Sequence, residues 1–327
     1  MTLRKRIYQV YKRFMLDHFH RAFVDQQWKK WKGYKVDWKH PRDINEKIQW
    51  LLCFSDTSMW TLCADKYRVR EYVKSKGMED ILVPLLGVWN KPEEIDFESL
   101  PDKFVIRCNH DSGSTIIVDK SKGFDPGAIR SELAIHLKDR FGYHGGELFY
   151  NKIKPRVIAE RYLEQDIPMI QGAPVDYKVW CFDGKPYSIW VNYNRTREWT
   201  YINVYDLDWN LRPEVSLFND SFRDGKGLVP KPACLDEMLS VAGTLSEGFP
   251  EVRVDFYISG GKLYFGEMTF AAVAGHMRRF TDDYLQELGA QCHLPEKEKK
   301  WPFFPSLSVS WLSLSFLDIY KHLIHLL

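Results

Sequence analysis

Two carboxylates in the last third of the sequence stand at positions that would bring them together on neighbouring strands. The segments 252–258 and 263–270 are rich in β-branched and aromatic residues and flank a Gly-Gly pair, a pattern typical of a β-hairpin. A three-residue loop, 260–262, places the apolar side chains of both strands on one face of the hairpin. A two-residue loop would instead put apolar and polar side chains together on each face. In the three-residue register Asp255 lies directly opposite Glu267.

Two facing carboxylates repel each other unless a cation or a proton lies between them. Oxygen ligands at this separation suit Mg²⁺ or Mn²⁺, which would also hold the phosphates of a nucleotide. The alternative is structural: Asp255 would be solvated and Glu267 would pair with Arg253. The pattern by itself leaves both interpretations open.

A short polar loop at 110–114 could add phosphate-binding groups. It lies between two β-type runs and contains Ser112, Gly113 and Ser114, so its backbone N–H groups could cradle a phosphate. An ordinary hairpin loop is the other interpretation. Arg107, in the preceding strand, could supply a positive charge.

A second hairpin carries a further cation. The segments 175–182 and 187–192 flank the Asp-Gly pair at 183–184, which is a strong turn signal. Asp176 and Lys178 are two residues apart and therefore lie on one face of the first strand. Lys178 could reach a phosphate, or the two side chains could simply pair with each other.

Helical patterns are interleaved with these strand pairs. The segments 128–141 and 235–245 read as helices, and 104–109 and 156–160 read as strands. Such interleaving predicts an α+β protein with antiparallel sheets.

Composition excludes some classes of function and suggests a compartment. Lys and Arg number 46 and Asp and Glu 44, which argues against a nucleic-acid binder. The six cysteines form no Cys-x-x-Cys pair, and the basic start is not followed by an uninterrupted apolar run. We therefore expect a reducing compartment and no signal peptide, and hence a cytoplasmic protein.

Both ends of the chain could make peripheral contacts. Ile7, Val10, Tyr11 and Phe14 have helical spacing, so an N-terminal helix is predicted, either packed on the main domain or lying on a membrane surface. The segment 301–327 begins with a long uncharged stretch that five serines interrupt, too polar for a spanning helix. A surface helix, a partner-binding segment and a packed helix all fit it.

Several motifs together resemble a known family. The run 253–269 resembles the metal-binding hairpin of the ATP-grasp superfamily. Further segments resemble, in order, the TupA-like ATP-grasp family, which is associated with bacterial cell-surface polysaccharide synthesis: 45–50, 64–67, 176–178, 181–186 and 205–209. The resemblance covers roughly 45–294.

The resemblance implies an ATP-grasp fold, with ATP and Mg²⁺ or Mn²⁺ held between two α+β subdomains with antiparallel sheets. The implied organisation is a basic and aromatic N-terminal region (1–62), a first subdomain with the polar loop (63–155), a second subdomain with the metal-binding hairpin (156–294) and an apolar tail (295–327).

The resemblance also implies roles for individual residues. Asp255 and Glu267 would hold the metal, with Thr269 where the superfamily usually has Asn. Arg253 and Lys178 would be catalytic. The implied nucleotide-binding residues are Arg107, Ser112, Gly113, Ser114, Glu160, Tyr162, Leu163 and Lys178.

The implied reaction is a ligation. A carboxylate attacks ATP to form an acyl phosphate, and an amine then displaces phosphate to form an amide. The expected partners are a nucleotide, a saccharide such as a uronic acid, and an amino acid.

Two other functions compete with the ligase. Asp206 and Asp208 match the Asp-x-Asp pattern that holds the metal of a sugar nucleotide in glycosyltransferases, although a solvated turn explains them too. The 12 tryptophans would also suit a non-catalytic carbohydrate-binding protein, although most of them are expected in the core.

Overall fold

The structure is a computed structural model and describes residues 2–170, 172–196 and 198–296. The helices of this part are α1 (Leu3–His18), α2 (His20–Lys32), α3 (Ile44–Phe54), α4 (Ser58–Ala64), α5 (Val69–Ser75), α6 (Pro126–Leu137), α7 (Gly142–Gly145), α8 (Leu235–Ser246) and α9 (Asp282–Gln291). In the described ranges, every helix is too short or too polar to cross a bilayer. The segment 301–327, and with it nearly all of the predicted tail 295–327, lies outside the described residues.

The predicted N-terminal helix forms as α1 and packs against α2 and α7. Its buried residues are Tyr11, Met15 and Leu16. Val10, which the sequence pattern placed on the apolar face, is 69% exposed. The buried face of α1 therefore lies closer to Met15 and Leu16 than predicted, because their side chains, longer than that of Val10, fill the space beside α2.

A four-stranded antiparallel sheet forms the first layer. Its strands are β1 (Leu85–Trp89), β2 (Lys103–Cys108), β3 (Ile116–Asp119) and β4 (Val157–Arg161), in the order β1-β4-β2-β3. β2 and β3 are the strands predicted around the polar loop. β4 is buried on both faces and is central in this sheet, so the first sheet continues past the predicted boundary at residue 155.

A six-stranded sheet forms the second layer. Its strands are β5 (Asp176–Phe182), β6 (Lys185–Tyr193), β7 (Thr200–Tyr205), β8 (Phe222–Asp224), β9 (Val252–Ser259) and β10 (Lys262–Thr269), in the order β10-β9-β5-β6-β7-β8. The antiparallel prediction is confirmed except that β7 and β8 are parallel. Asp183 and Gly184 both have positive φ, as a two-residue hairpin turn requires.

The hairpin β9–β10 differs from the predicted one in its loop. Ser259 pairs with Lys262, so the loop is the two residues Gly260 and Gly261, and the predicted three-residue loop is wrong. A β-bulge at Gly266 then shifts the register by one residue. Phe265 consequently packs on the buried face opposite Phe256, and the pairing predicted for the carboxylates is restored beyond the bulge.

The two sheets have separate cores. The larger core joins the second sheet to α3, α4, α8 and α9, and the smaller one joins the first sheet to α6. Six tryptophans of the described ranges are buried and contribute to packing: Trp28, Trp38, Trp50, Trp60, Trp180 and Trp190.

Candidate active site

A row of ionisable side chains crosses three adjacent strands of the second sheet. β9 pairs with both β5 and β10, so Asp255 has Lys178 opposite it on one side and Glu267 on the other. The bulge at Gly266 sets this register. A Cβ atom there would lie 3.0 Å from the Asp255 carbonyl oxygen and 3.0 Å from the Tyr257 ring, so a larger residue would fit only if these neighbours moved.

Asp255 is buried and held by two cations. It is 1% exposed. The Nζ atom of Lys178 lies 2.5 Å from Oδ2, and Nε and Nη2 of Arg253 lie 2.6 and 2.7 Å from the two carboxylate oxygens. The interpretation in which Asp255 is solvated is therefore wrong, because the neighbouring cations compensate its burial.

Glu267 is less enclosed and has weaker partners. Its carboxylate lies 3.6 Å from Lys66 Nζ and 3.8 Å from Arg253 Nη2. Thr269 Oγ1 donates to it at 3.2 Å and accepts from Arg253 at 3.0 Å. Burial alone would raise the pKa of Glu267, but Lys66, Lys178 and Arg253 together lower it to about 2. The side chain is therefore an anion throughout the physiological range.

Asp255, Glu267 and Thr269 form a donor set that fits Mg²⁺. The described residues contain no group of three or more His, Cys, Asp or Glu side chains that could hold a metal. Two carboxylates nevertheless suffice, because Mg²⁺ usually takes its remaining ligands from water and substrate phosphates. The hydroxyl of Thr269 adds a neutral oxygen beside Glu267.

Lys178 contacts both acidic neighbours rather than one. Besides its bond to Asp255, its Nζ atom lies 3.3 Å from Asp176 Oδ2. Arg195, from the β6–β7 connection, binds the same oxygen at 2.9 Å. Burial would raise the pKa of Asp176, but Lys178 and Arg195 lower it. Sequence reasoning missed Arg195, which lies in a loop without periodicity.

Arg107 and Glu160 form a buried ion pair on β2 and β4. Arg107 Nη2 lies 2.7 Å from Glu160, and Arg70 lies 3.7 Å from its other oxygen. The Nε atom of Arg107 is buried and has no hydrogen-bond partner among the described residues. Burial would lower the pKa of Arg107, but Glu160, Tyr257 and Glu267 raise it. Arg107 is thus a charged donor close to the second sheet.

Tyr162 and Leu163 follow β4 and differ in their surroundings. Leu163 is buried in a small apolar cluster with Val83 and Tyr264, where the chain around β4 meets β10. Tyr162 packs against Lys103, whose Nζ atom lies 3.8 Å from the ring centroid. Only Leu163 therefore lines the junction between the two sheets.

Buried side-chain contacts of Asp111 hold the polar loop 110–114 in place. Asp111 is 2% exposed, accepts from Ser114 Oγ at 2.5 Å and lies 2.6 Å from His136 Nδ1. The acidic side chain therefore points into the protein, and the hydroxyl of Ser114 is already engaged. The exposed part of the loop is its tip, 112–113.

Lys66 is a site residue that sequence reasoning did not assign. Its Nζ atom donates to the Asp111 carbonyl at 2.7 Å and lies beside Glu267, so it links the polar loop to the β9–β10 hairpin. Asp65 positions this segment by accepting from Asn109 Nδ2 at 2.7 Å. The Asp-Lys pair before α5 was the available signal.

Asp206 and Asp208 form a turn. Asp206 Oδ1 accepts from the backbone N–H groups of Asp208 and Asn210 at 3.0 and 2.7 Å, and its other oxygen accepts from Asn210 Nδ2 at 2.8 Å. The first carboxylate is thus used to close its own turn. This removes the observation on which the glycosyltransferase interpretation relied.

Comparison with known proteins agrees with the predicted family. Residues 46–293 match the model of the family described as TupA-like ATPgrasp. The comparison with curated proteins found no match.

Similar solved structures include three ligases. D-alanine–D-alanine ligase from Bacillus anthracis, complexed with ATP, is 19% identical with a TM-score of 0.36, over 64% of this chain and 55% of that one. D-alanine–D-alanine ligase from Helicobacter pylori is 15% identical with a TM-score of 0.39, over 79% and 68%. The ATP-grasp ligase PsnB, complexed with the precursor peptide PsnA2 and AMPPNP, is 10% identical with a TM-score of 0.37, over 86% and 73%. The chain spans little more than half the length of the B. anthracis enzyme.

Proposed function

The chain belongs to the TupA-like ATP-grasp family, and from this premise we propose that it is an ATP- and Mg²⁺-dependent ligase that joins a carboxylate to an amine through an acyl phosphate. The carboxylate belongs to a saccharide, such as a uronic acid of a bacterial surface polysaccharide or its precursor. The amine belongs to an amino acid. We assign this activity to the cytoplasm, where ATP would be available.

One observation carries the proposal: four cations surround two facing carboxylates near the junction of the sheets. The cations are Lys66, Arg107, Lys178 and Arg253. Two of them, Lys178 and Arg107, also pair with Asp176 and Glu160, but Arg107 retains a buried N–H group without an acceptor among the described residues. Bound phosphates would accept from this group, and a bound metal would relieve the repulsion between the carboxylates.

Each residue of the row then has a role. Asp255 and Glu267, with Thr269 beside them, would hold Mg²⁺, which neutralises charge on the phosphates when bound. Lys178 would turn from Asp255 to a phosphate oxygen, and Arg107 would donate its free Nε–H to another. Arg253 would stabilise charge on the acyl phosphate.

The rest of the nucleotide would lie along the junction of the sheets. Backbone groups at 162–163 would hold adenine, and Leu163 would form an apolar wall. Backbone N–H groups of the loop tip, 112–113, would cover the phosphates. Glu160, one of the implied nucleotide-binding residues, is engaged by Arg107, and we assign it the positioning of that guanidinium.

The chemistry proceeds in two displacements. A carboxylate oxygen attacks the γ-phosphorus of ATP, and the bond to the departing ADP oxygen breaks. The amine nitrogen then attacks the acyl carbon, the carbon–oxygen bond breaks, and inorganic phosphate and a proton leave. The site contributes by orienting the reactants and by placing cations where negative charge develops.

Incubating the protein with ATP, Mg²⁺, uronic acids and amino acids tests this reaction directly. We expect ADP release that requires both the acid and the amine. ADP release at the same rate without either would contradict ligation.

Substitution of the carboxylates tests the site. Asp255→Asn and Glu267→Gln should each weaken Mg²⁺–ATP binding at least tenfold in calorimetric titrations, because each removes a charged metal ligand. The double variant should be little worse than either single variant, since one loss already disables the site.

The controls are Asp206→Asn and Asp208→Asn, which should bind Mg²⁺–ATP within about twofold of the unsubstituted chain. Full Mg²⁺–ATP affinity in the Asp255 and Glu267 variants would overturn the assignment of the site.

A further inference from the structure

A cavity of about 540 Å³ lies between the N-terminal helices and the segment that follows β10. Its walls come from α1, α2, α7 and residues 273–278. None of the residues assigned to ATP or Mg²⁺ lines it. The α1 and α2 walls precede residue 46, where the family match begins, so half of the cavity is formed outside the matched region.

The charged side chains that line this cavity are all cationic. Lys12, Lys30 and Arg278 line it, and none of its described lining residues is acidic. Within the described ranges no ion pair involves Lys30 or Arg278. Burial, with smaller contributions from Arg278 and Lys12, lowers the pKa of His276, which also lines the cavity. The Nζ atom of Lys12 donates to the His144 carbonyl at 2.7 Å, and Lys30 and Arg278 remain as cations that indicate a site for an anion.

The walls also offer neutral recognition groups. The Nε2 atom of Gln27 is buried and makes no hydrogen bond to any described residue. Tyr8, Phe23 and Trp31 provide aromatic surface. A volume of this size, with aromatic walls and a few polar groups, is typical of sites for small organic ligands.

The wall next to β10 has a strained backbone. Ala271, Val273 and Ala274 have φ values of 53°, 53° and 48°, in the left-handed region that disfavours side chains, and β-branched Val273 most of all. Gln49 holds this segment by donating to the Ala274 carbonyl at 2.5 Å. Strain of this kind is concentrated at ligand-binding and active sites.

We propose that this cavity binds an acidic unit of the saccharide substrate. The carboxylate or phosphate of that unit would contact Lys30 and Arg278, Gln27 would donate to a hydroxyl group, and the aromatic walls would pack on the sugar ring. The inference rests on the proposed function, because the acidic unit belongs to the saccharide whose carboxylate, on another unit, is ligated. The strained segment connects this site through the chain to β10.

Binding to the full chain without nucleotide tests the proposal. In calorimetric titrations glucuronate or glucose 1-phosphate should bind at least tenfold more tightly than glucose, and the stronger of the two identifies the acidic group. Lys30→Ala and Arg278→Ala should each weaken that binding about tenfold or more and leave Mg²⁺–ATP affinity unchanged. The matched control is Lys29→Ala, an exposed lysine on the same helix that does not line the cavity.

Several results would overturn the proposal: no binding of either acid, equal binding of glucose, or acid binding that survives both substitutions. A different pair of results would assign the cavity to a membrane surface instead. The unsubstituted chain would then bind phosphatidylglycerol vesicles but no sugar, and both variants would lose the binding to vesicles. Asp255→Asn separates this inference from the proposed function, since it should abolish Mg²⁺–ATP binding and leave glucuronate binding intact.

Discussion

Asp255 is a buried anion whose charge is balanced by neighbours rather than by solvent. Lys178 and Arg253 bind its two oxygens, and both cations are themselves largely buried. Removing one member of such a group leaves an uncompensated charge, which costs roughly 3–5 kcal/mol. A cation that replaces Lys178 beside the Asp255 carboxylate can therefore bind without that cost, because the negative charge of Asp255 stays balanced.

Glu147 presents the opposite case and gives a prediction at the residue scale. In the described part of the chain no cation pairs with its carboxylate, and burial raises its pKa from 4.5 to about 8. Between pH 4.5 and about pH 8 the folded state binds the Glu147 proton more tightly than the unfolded state. The free energy of unfolding therefore falls as the pH rises through this range. Glu147→Gln should therefore match the unsubstituted chain near pH 5 and have a Tm several degrees higher near pH 8.5.

Thermal unfolding measured across this pH range checks the expectation. The control is Glu132→Gln, because Glu132 is exposed on α6. A Tm difference for Glu147→Gln that stays constant with pH would show that its carboxyl is not the group responsible.

Among the elements, the β9–β10 hairpin shows how a local irregularity determines chemistry. The Gly260-Gly261 turn alone would place Val254 opposite Glu267. The bulge at Gly266 adds one residue to β10, and the carboxylates then meet. Because side chains alternate along a strand, this single residue decides whether Glu267 faces Asp255 or the apolar core.

Gly266→Ala should therefore disturb both the fold and the site. The new Cβ would approach the Asp255 carbonyl oxygen and the Tyr257 ring at 3.0 Å, and the backbone atom cannot move easily. We expect a loss of about 1–3 kcal/mol in the free energy of unfolding, measured by urea denaturation, and weakened Mg²⁺–ATP binding.

Gly127→Ala is the comparison for this element. Gly127 lies in the first turn of α6, where the nearest atom to a new Cβ is a side-chain oxygen of Asp125. It should change the free energy of unfolding by less than about 1 kcal/mol. Equal effects of the two substitutions would mean that the bulge does not depend on glycine.

For the molecule as a whole, the important feature is that two sheets with separate cores meet at the candidate site. Arg107 extends from the first sheet, and Lys178, Asp255 and Glu267 from the second. The contact between the sheets at this place includes a small apolar cluster around Leu163 and a hydrogen bond that Arg161 donates to the Tyr264 hydroxyl. A ligand that binds groups of both sheets would therefore hold them together.

Mg²⁺–ATP should accordingly stabilise the whole chain against heat. At a ligand concentration of about 100 times the Kd, binding adds about 2.7 kcal/mol to the free energy of unfolding, which corresponds to a rise of several degrees in Tm. ATP with a chelator, and Mg²⁺–ATP with Asp255→Asn, are the controls and should give little change. A Tm that rises with sugars but not with Mg²⁺–ATP would support the non-catalytic carbohydrate-binding alternative.

Much of the architecture could be predicted from local patterns. Alternating apolar residues indicated β9 and β10, and the Asp-Gly pair at 183–184 indicated the β5–β6 turn, because each depends on neighbours in sequence. The parallel pairing of β8 with β7 and the central place of β4 were not predicted. Both depend on contacts between segments that are distant in sequence.

The sequence by itself determined the family and the α+β class, since these follow from motif order and from the pattern of helices and strands. It also predicted that Asp255 meets Glu267, but through a three-residue loop, whereas the structure reaches this pairing through a two-residue turn and the bulge at Gly266. Only the tertiary structure decided which cations balance the pair, that Asp111 turns inward, and that a basic cavity lies beside the N-terminal helices. The physical reason is that charge and burial depend on distances in space, which packing sets and spacing along the chain does not.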